Sequence, residues 1–206
     1  MRKRENFLGR LILTFLITTG IFILLFLFAF FVSYTNYQNI ERQNNVILDS
    51  ITELQTLLSD ESCDDLILFK ASERLDRVGT KLALLELRFG KGDKRVLEQK
   101  KLYSDLEFAH FSIVKRFNEE CGKEFDTYLF FYSNEGNLND ASERTGFILD
   151  AFKRERGGKV MVYSIDGALD YETIVELKER YGVTDLPVVV INEERVQRVT
   201  KIEDLN

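Results

Sequence analysis

The chain of 206 residues has no tryptophan, one histidine, one proline and two cysteines. Zinc and related sites need several imidazole or thiolate ligands at short spacings. His110, Cys63 and Cys121 offer no such spacing, so neither a metal nor a cofactor is expected. The same scarcity bears on catalysis. Ser133 and Ser142 have no histidine in their part of the chain to act as a base, and a hydroxyl without one is a weak nucleophile, so no catalytic residue is assigned. Redox-active cysteine pairs are typically close in sequence, as in Cys-x-x-Cys, and Cys63 and Cys121 are far apart. Basic residues are also few beyond residue 34, where 24 lysines and arginines face 33 acids. An acidic surface repels phosphate backbones, which argues against nucleic acid as a partner.

One long apolar run stands out against these absences. "LILTFLITTGIFILLFLFAFFV", Leu11 to Val32, carries no charge. As a helix it reaches roughly 33 Å, enough for a hydrocarbon core of about 30 Å. A cleaved secretory signal would have a shorter apolar stretch ending in small residues, whereas here Phe28, Phe30, Phe31 and Val32 crowd that place. The expectation is an uncleaved signal-anchor over 11–33, a single membrane span preceded by a basic segment at 1–10. Arg2, Lys3, Arg4 and Arg10 precede the span, and no base follows it until Arg42. By the positive-inside rule the N-terminus is cytoplasmic and the rest of the chain extracytoplasmic in the cell membrane.

Residues 34–123 read as helical. Ile40, Ile47, Ile51, Leu54 and Leu58 recur at helical spacing, with Asn44 in their stripe as a possible register residue, and Ser62 or Asp64 suits a helix cap. Leu68, Ala71, Leu75, Val78, Leu82, Leu85 and Phe89 alternate by three and four, the seam of a coiled coil. Gly90 and Gly92 interrupt it, and a second helix from about Asp93 to Glu120 shows Val96, Leu102, Leu106, Ala109, Ile113 and Phe117 on one face. Folding about Gly92 gives an antiparallel hairpin in which Ala71 faces Ile113, Val78 faces Leu106 and Cys63 meets Cys121. A disulfide there suits an oxidising compartment. The seam also leaves homo-oligomerisation through this stalk open. His110 falls beside the seam as a packed or solvent-edge residue.

From Thr127 the texture changes to alternating strands and helices. "TYLFFYS" and "KVMVYSID" are strands around a helix "NDASERTGFILDAFKRER" with Phe147, Ile148, Ala151 and Phe152 inward and Asn139 or Asp140 as its cap. "DYETIVELKERYG" is a second helix, and "PVVVIN" and "RVQRVT" form a terminal pair of strands. With "YGVTDLPVVVIN" opening on the chain's one proline, this part resembles the thioredoxin-like superfamily, whose cis-proline loop precedes a strand. The fold class is therefore α/β: a thioredoxin-like domain over 124–206, preceded by an N-terminal transmembrane helix and an antiparallel helical hairpin.

The resemblance implies that Leu186–Pro187 is cis and that Asp185, Leu186 and Pro187 form a loop whose backbone can pair with an extended peptide. It also shows a departure. Gly136, Asn137, Leu138 and Asn139 stand where redox members carry Cys-x-x-Cys, and without a thiolate there is no nucleophile for disulfide exchange. "KIEDLN" is too short for the final helix of such domains, so one face of the sheet is expected to be partly uncovered. The function implied is non-catalytic binding of a partner protein or peptide at the membrane, as an accessory or chaperone-like subunit. Two alternatives stay open: a thiol-disulfide oxidoreductase using Cys63 and Cys121, and a coiled-coil stalk that oligomerises.

Overall fold

A computed structural model describes the backbone at 2–59 and 62–206 and the side chains at 9–35, 37–38, 49–50, 52–53, 56–57, 59 and 62–206. The chain divides into two units, Met1–Asn45 and Val46–Asn206.

The first unit is the greater part of helix α1, Arg2–Leu58. Within it Gly9–Thr35, of mean hydropathy 2.8, is the one helix among the described residues long and apolar enough to cross a membrane. Every side chain from Gly9 to Tyr34 is exposed to the surroundings. Thr14 and Thr18 turn their hydroxyls back onto the carbonyls of Arg10 and Thr14, each at 2.9 Å. Those polar groups are thus satisfied inside the helix, as an apolar environment demands. The side chains of Arg2, Lys3 and Arg4, of the stripe residues Ile40, Ile47, Ile51, Leu54 and Leu58, and of Asn44 lie outside the described residues.

In the second unit, α2 spans Asp65–Phe89 and α3 spans Lys94–Glu120. Asp64 caps α2 by accepting from the Leu66 amide, and Asp93 caps α3 by accepting from the Arg95 amide, each at 2.9 Å. Gly90, at φ +88°, ends α2 in a conformation that a side chain would resist. The seam residues Leu68, Ala71, Leu75, Val78, Leu82 and Leu85 are all buried. Contacts run Cys63 to Cys121, Ser72 to His110, Gly79 to Tyr103 and Glu86 to Lys100, so residue numbers fall on α3 as they rise on α2. The two helices pack closely at Gly79, where a Cβ would stand 2.8 Å from the Tyr103 hydroxyl.

Strand β1 is Asp126–Tyr132, α4 Leu138–Arg156, β2 Val160–Asp166, α5 Glu172–Arg180, β3 Val188–Ile191 and β4 Arg195–Gln197. They form one mixed sheet of order β2-β1-β3-β4, with β1 parallel to β2 and antiparallel to β3, an arrangement consistent with a thioredoxin-like core. Alternation along β1 sends Leu129 and Phe131 into a core shared with α2, α3 and α5, and Tyr128 and Phe130 into a second core under α4. The first core joins the helical segment to the sheet, so packing runs across the expected boundary at 123/124.

Two local expectations are corrected. Helix α4 begins at Leu138 with Asn137 before it, so Asn139 and Asp140 lie inside the first turn and neither is the cap residue. Its buried face is Ser142, Thr145, Leu149 and Phe152, while Phe147 is 71% exposed and Ala151 is also exposed. The phase shifts because two polar residues are useful inside. Ser142 accepts from the Ser133 amide at 3.1 Å, and Thr145 donates to the Val199 carbonyl at 3.1 Å. On this second face a 3₁₀ turn at Ile202–Leu205 takes the place expected to stand open, burying Leu205 and receiving the Tyr128 hydroxyl on its carbonyl. A groove of about 420 Å³ beside β2, lined by Phe147 and Val162 among others, remains open on that face.

Candidate functional site

Parallel strands present their C-terminal ends as a natural place for a site, because the loops that follow them converge there. Three loops meet at this end of β1 and β2. The β1–α4 loop is held down by the Ser133 amide on Ser142 and the Glu135 amide on the Ser133 hydroxyl. Asn134 reaches from it to the Asp166 carboxylate at 3.1 Å. Gly167, just after β2, donates its amide to the Tyr132 carbonyl at 2.8 Å, and Leu186 rests on it so closely that a Cβ at 167 would lie 2.9 Å from the leucine. The degenerate motif region and the proline loop are thereby joined through Asp166 and Gly167.

The Leu186–Pro187 bond is cis. The Leu186 amide and carbonyl make no backbone hydrogen bond among the described residues. Asp185 stands exposed beside them, 3.5 Å from Arg198. At the motif position Gly136 has φ +45°, Leu138 and Asn139 open α4, and Asn139 bonds Glu143 and Lys91. Ser133 is fully buried and bound at both ends of its loop, so it is a turn residue.

Cys63 and Cys121 are bridged, with Cα atoms 5.5 Å apart. They lie beyond the other end of the sheet. Cys121 shortly precedes Asp126, which pairs with Val160, whereas Pro187 abuts Val188, which pairs with Phe131. The five residue steps from Asp126 to Phe131 span about 17 Å. The sulfurs and the proline loop therefore belong to separate places.

Next to the converging loops sits a group that sequence reasoning missed. Lys100, 3% exposed, places its ammonium 2.9 Å from Asp166 and 3.0 Å from Glu86. It also lies 5.6 Å from the centre of the Tyr132 ring. Together with Tyr103, these residues line a cleft of about 610 Å³ between α2, α3 and the sheet. Burial, and then the charge of Asp166, raises the Tyr132 hydroxyl well above its ordinary range, so the phenol stays neutral. Paired with both Asp166 and Glu86, Lys100 ties the end of β2 to α2 and α3. The only sequence hint was an acid, Asp166, at the end of an apolar strand.

His110 is buried between the Tyr163 hydroxyl at 2.8 Å and the Ser72 hydroxyl at 2.9 Å. The distances suit a nucleophile and its base, but Ser72 lies in the middle of α2, where the neighbouring amides are spent on the helix and none can stabilise an oxyanion. Burial lowers the His110 pKa to about 4, with Lys153 adding to the effect, so both nitrogens are occupied in a neutral, packed ring.

Glu107 has the opposite problem. One of its oxygens accepts from the Ser164 amide on edge strand β2 at 2.7 Å, and the other has no partner among the described residues. Burial pushes its pKa from 4.5 to about 8 against that hydrogen bond.

The two groups predict a pH profile. Folded Glu107 keeps a proton between pH 4.5 and 8 that the unfolded chain releases, so its contribution falls as pH rises through that window. The unfolded chain protonates His110 below 6.5 while the folded chain refuses the proton down to about 4, so that contribution is lost as pH falls. The slopes cancel between 4.5 and 6.5. From 6.5 to 8 Glu107 acts alone, and stability should drop by about 2 kcal/mol. Denaturant titration of the full chain in micelles at both ends of that interval should show the drop, and Glu107→Gln should abolish it; an unchanged drop in the variant would assign it elsewhere.

Comparison of the chain with protein-family models, with curated proteins and with solved structures finds no match.

Proposed function

We propose that this chain is a single-pass membrane protein, N-terminus in the cytoplasm, whose extracytoplasmic thioredoxin-like domain binds a partner protein or extended peptide without redox chemistry. The observation that carries this reading is the Leu186 backbone, which makes no backbone hydrogen bond among the described residues, at the convergence of three loops and next to an exposed acid. An extended segment gains affinity from main-chain hydrogen bonds to such a backbone. The positions where a thiol pair would attack hold Gly136, Asn137, Leu138 and Asn139, which leaves binding as the use of the loop. The antiparallel helices α2 and α3 act as a clipped support for it. Their seam residues are buried inside the same chain, which disfavours a stalk that associates through that seam. The distance between the bridge and the proline loop likewise disfavours an oxidoreductase that would use Cys63 and Cys121 there.

A photocrosslinking residue at Asp185, rather than at the packed Leu186, tests the reading in the full chain in its native membrane. The expected result is one or a few adducts absent when the same probe replaces Phe147, which is exposed on another face. Identical adducts from both positions would end the loop-binding proposal.

A further inference from the structure

Helix α2 carries two exposed apolar pairs, one at each end. Leu66 and Phe69 lie in its first turns at 50% and 65% exposure, and Leu84 and Leu87 near its last at 62% and 84%. The helix has 25 residues, so the pairs are separated by most of about 37 Å and face different surroundings. Scattered exposed leucines are ordinary, but these pairs differ in charge. Residues 60–70 hold four acids and Lys70 as their one base, whereas residues 87–95 hold Arg88, Lys91, Lys94 and Arg95 against Asp93 alone. That basic run is an exception in a chain of formal net charge −6.

Four acids near this end are already engaged, two of them with bases of the run itself. Glu86 is 3.0 Å from buried Lys100, Asp93 is 2.8 Å from Arg95, Glu143 on α4 is 3.1 Å from Lys91, and Glu98 is 2.9 Å from Lys101. Glu135 and Asp170 stand across the adjoining groove. Within this unit, the end of α1 runs antiparallel to α2. Glu53 pairs with Arg74 at 2.5 Å, while Leu58 leads by a short link to Asp65. The chain therefore comes into the unit, at Val46, on the side of Leu84 rather than of Leu66. Ten residues separate Thr35 from Val46, a length of chain that reaches at most about 40 Å.

We propose that Leu84 and Leu87, with Arg88, Lys91 and Lys94, form a lipid-contact surface. The leucines enter the headgroup and acyl boundary, and the bases lie on anionic headgroups of the membrane that holds the chain's own span. Apolar side chains flanked by lysine and arginine are the chemistry that such a boundary selects. The inference rests on the membrane-spanning reading above.

The absence of tryptophan makes the test direct. Leu87→Trp gives the full chain a single indole at a solvent-exposed position, and the chain is placed in nanodiscs of phosphatidylcholine and phosphatidylglycerol in equal parts. With brominated acyl chains its emission is expected to be quenched about twofold or more, and Lys91→Gln with Lys94→Gln in the same chain is expected to remove most of that quenching. Phe69→Trp should remain unquenched, and Leu84→Trp should repeat the first result. Solvent-like, unquenched emission from Leu87→Trp in loaded discs overturns the lipid surface alone. A blue shift without quenching identifies a protein occupant and also overturns it. A chain that does not enter discs at all overturns the span reading with it.

Discussion

Lys100→Met is expected to destabilise the fold by about 3 to 5 kcal/mol, because it removes the cation from a buried cluster and leaves its acids behind. Asp166, with 7% of its side chain exposed, would keep only the Asn134 side-chain amide and the Ala168 backbone amide as partners. Glu86 is 22% exposed and can turn toward water, so the larger share of the loss falls on Asp166. The check is denaturation of the full chain in micelles together with the double variant Lys100→Met, Asp166→Asn. The double variant should recover more than half of the loss, since the charge left unpaired by the first change is removed by the second. Lys91→Met is the contrast, because Lys91 and Glu143 are both largely exposed and solvent screens such pairs, so little stability should be lost. Equal effects from Lys100→Met and Lys91→Met would mean that the cluster is no clamp.

The same cluster explains what could be read in the chain and what could not. The seam of α2 was legible because Leu68 to Leu85 alternate by three and four, and only one face of that helix is apolar and buried. The strands and the proline loop were legible because short apolar runs bounded by turn residues, and a lone proline at the mouth of one, mark them. Helix α3 was read as having one inward face. It has two, since it lies between α2 and the sheet, and Lys100, Ser104, Glu107 and His110 occupy the second. A buried lysine on that face has the same pattern as a solvated one, so nothing in the periodicity announced Asp166 as its partner 66 residues away. Phe147 failed for the converse reason. Apolar residues on α4 outnumber the places available inside, and polar Ser142 and Thr145 took two of those places by hydrogen bonding to backbone.

The proline loop illustrates how these layers serve one another. Leu186 rests on Gly167, Gly167 hangs on Tyr132, and the preceding Asp166 is held by Lys100 from α3 and by Asn134 from the loop after β1. A backbone that is to meet an extended ligand must be kept in place without spending its own hydrogen bonds. Here the fixing is done by a side chain packed on glycine and by charges one residue away. On the proposed binding reading, loosening Lys100 should therefore weaken crosslinking from Asp185 as well as stability, and Lys91→Met should weaken neither.

Reduction of the Cys63–Cys121 bridge should lower stability by about 4 kcal/mol, because the bridge closes a loop with a sequence separation of 58 and its removal restores that freedom to the unfolded chain. The native state has little to lose, since α2 and α3 are already held by their buried seam and by Lys123 on Asp65 at 2.8 Å near the same end. Cys63→Ser with Cys121→Ser is thus expected to keep the α2–α3 contacts while its unfolding midpoint falls. Maleimide labelling of the membrane-embedded chain under denaturing conditions connects this to location. Two thiols that appear only after reduction, within a monomer, are the expected result, and they require an oxidising compartment for everything beyond the span. If both label without reduction, the chain is oriented the other way or its cysteines cycle. A stability loss under about 1 kcal/mol in the double serine variant would instead show that the packing of α2 on α3 restricts the unfolded chain as much as the covalent link does.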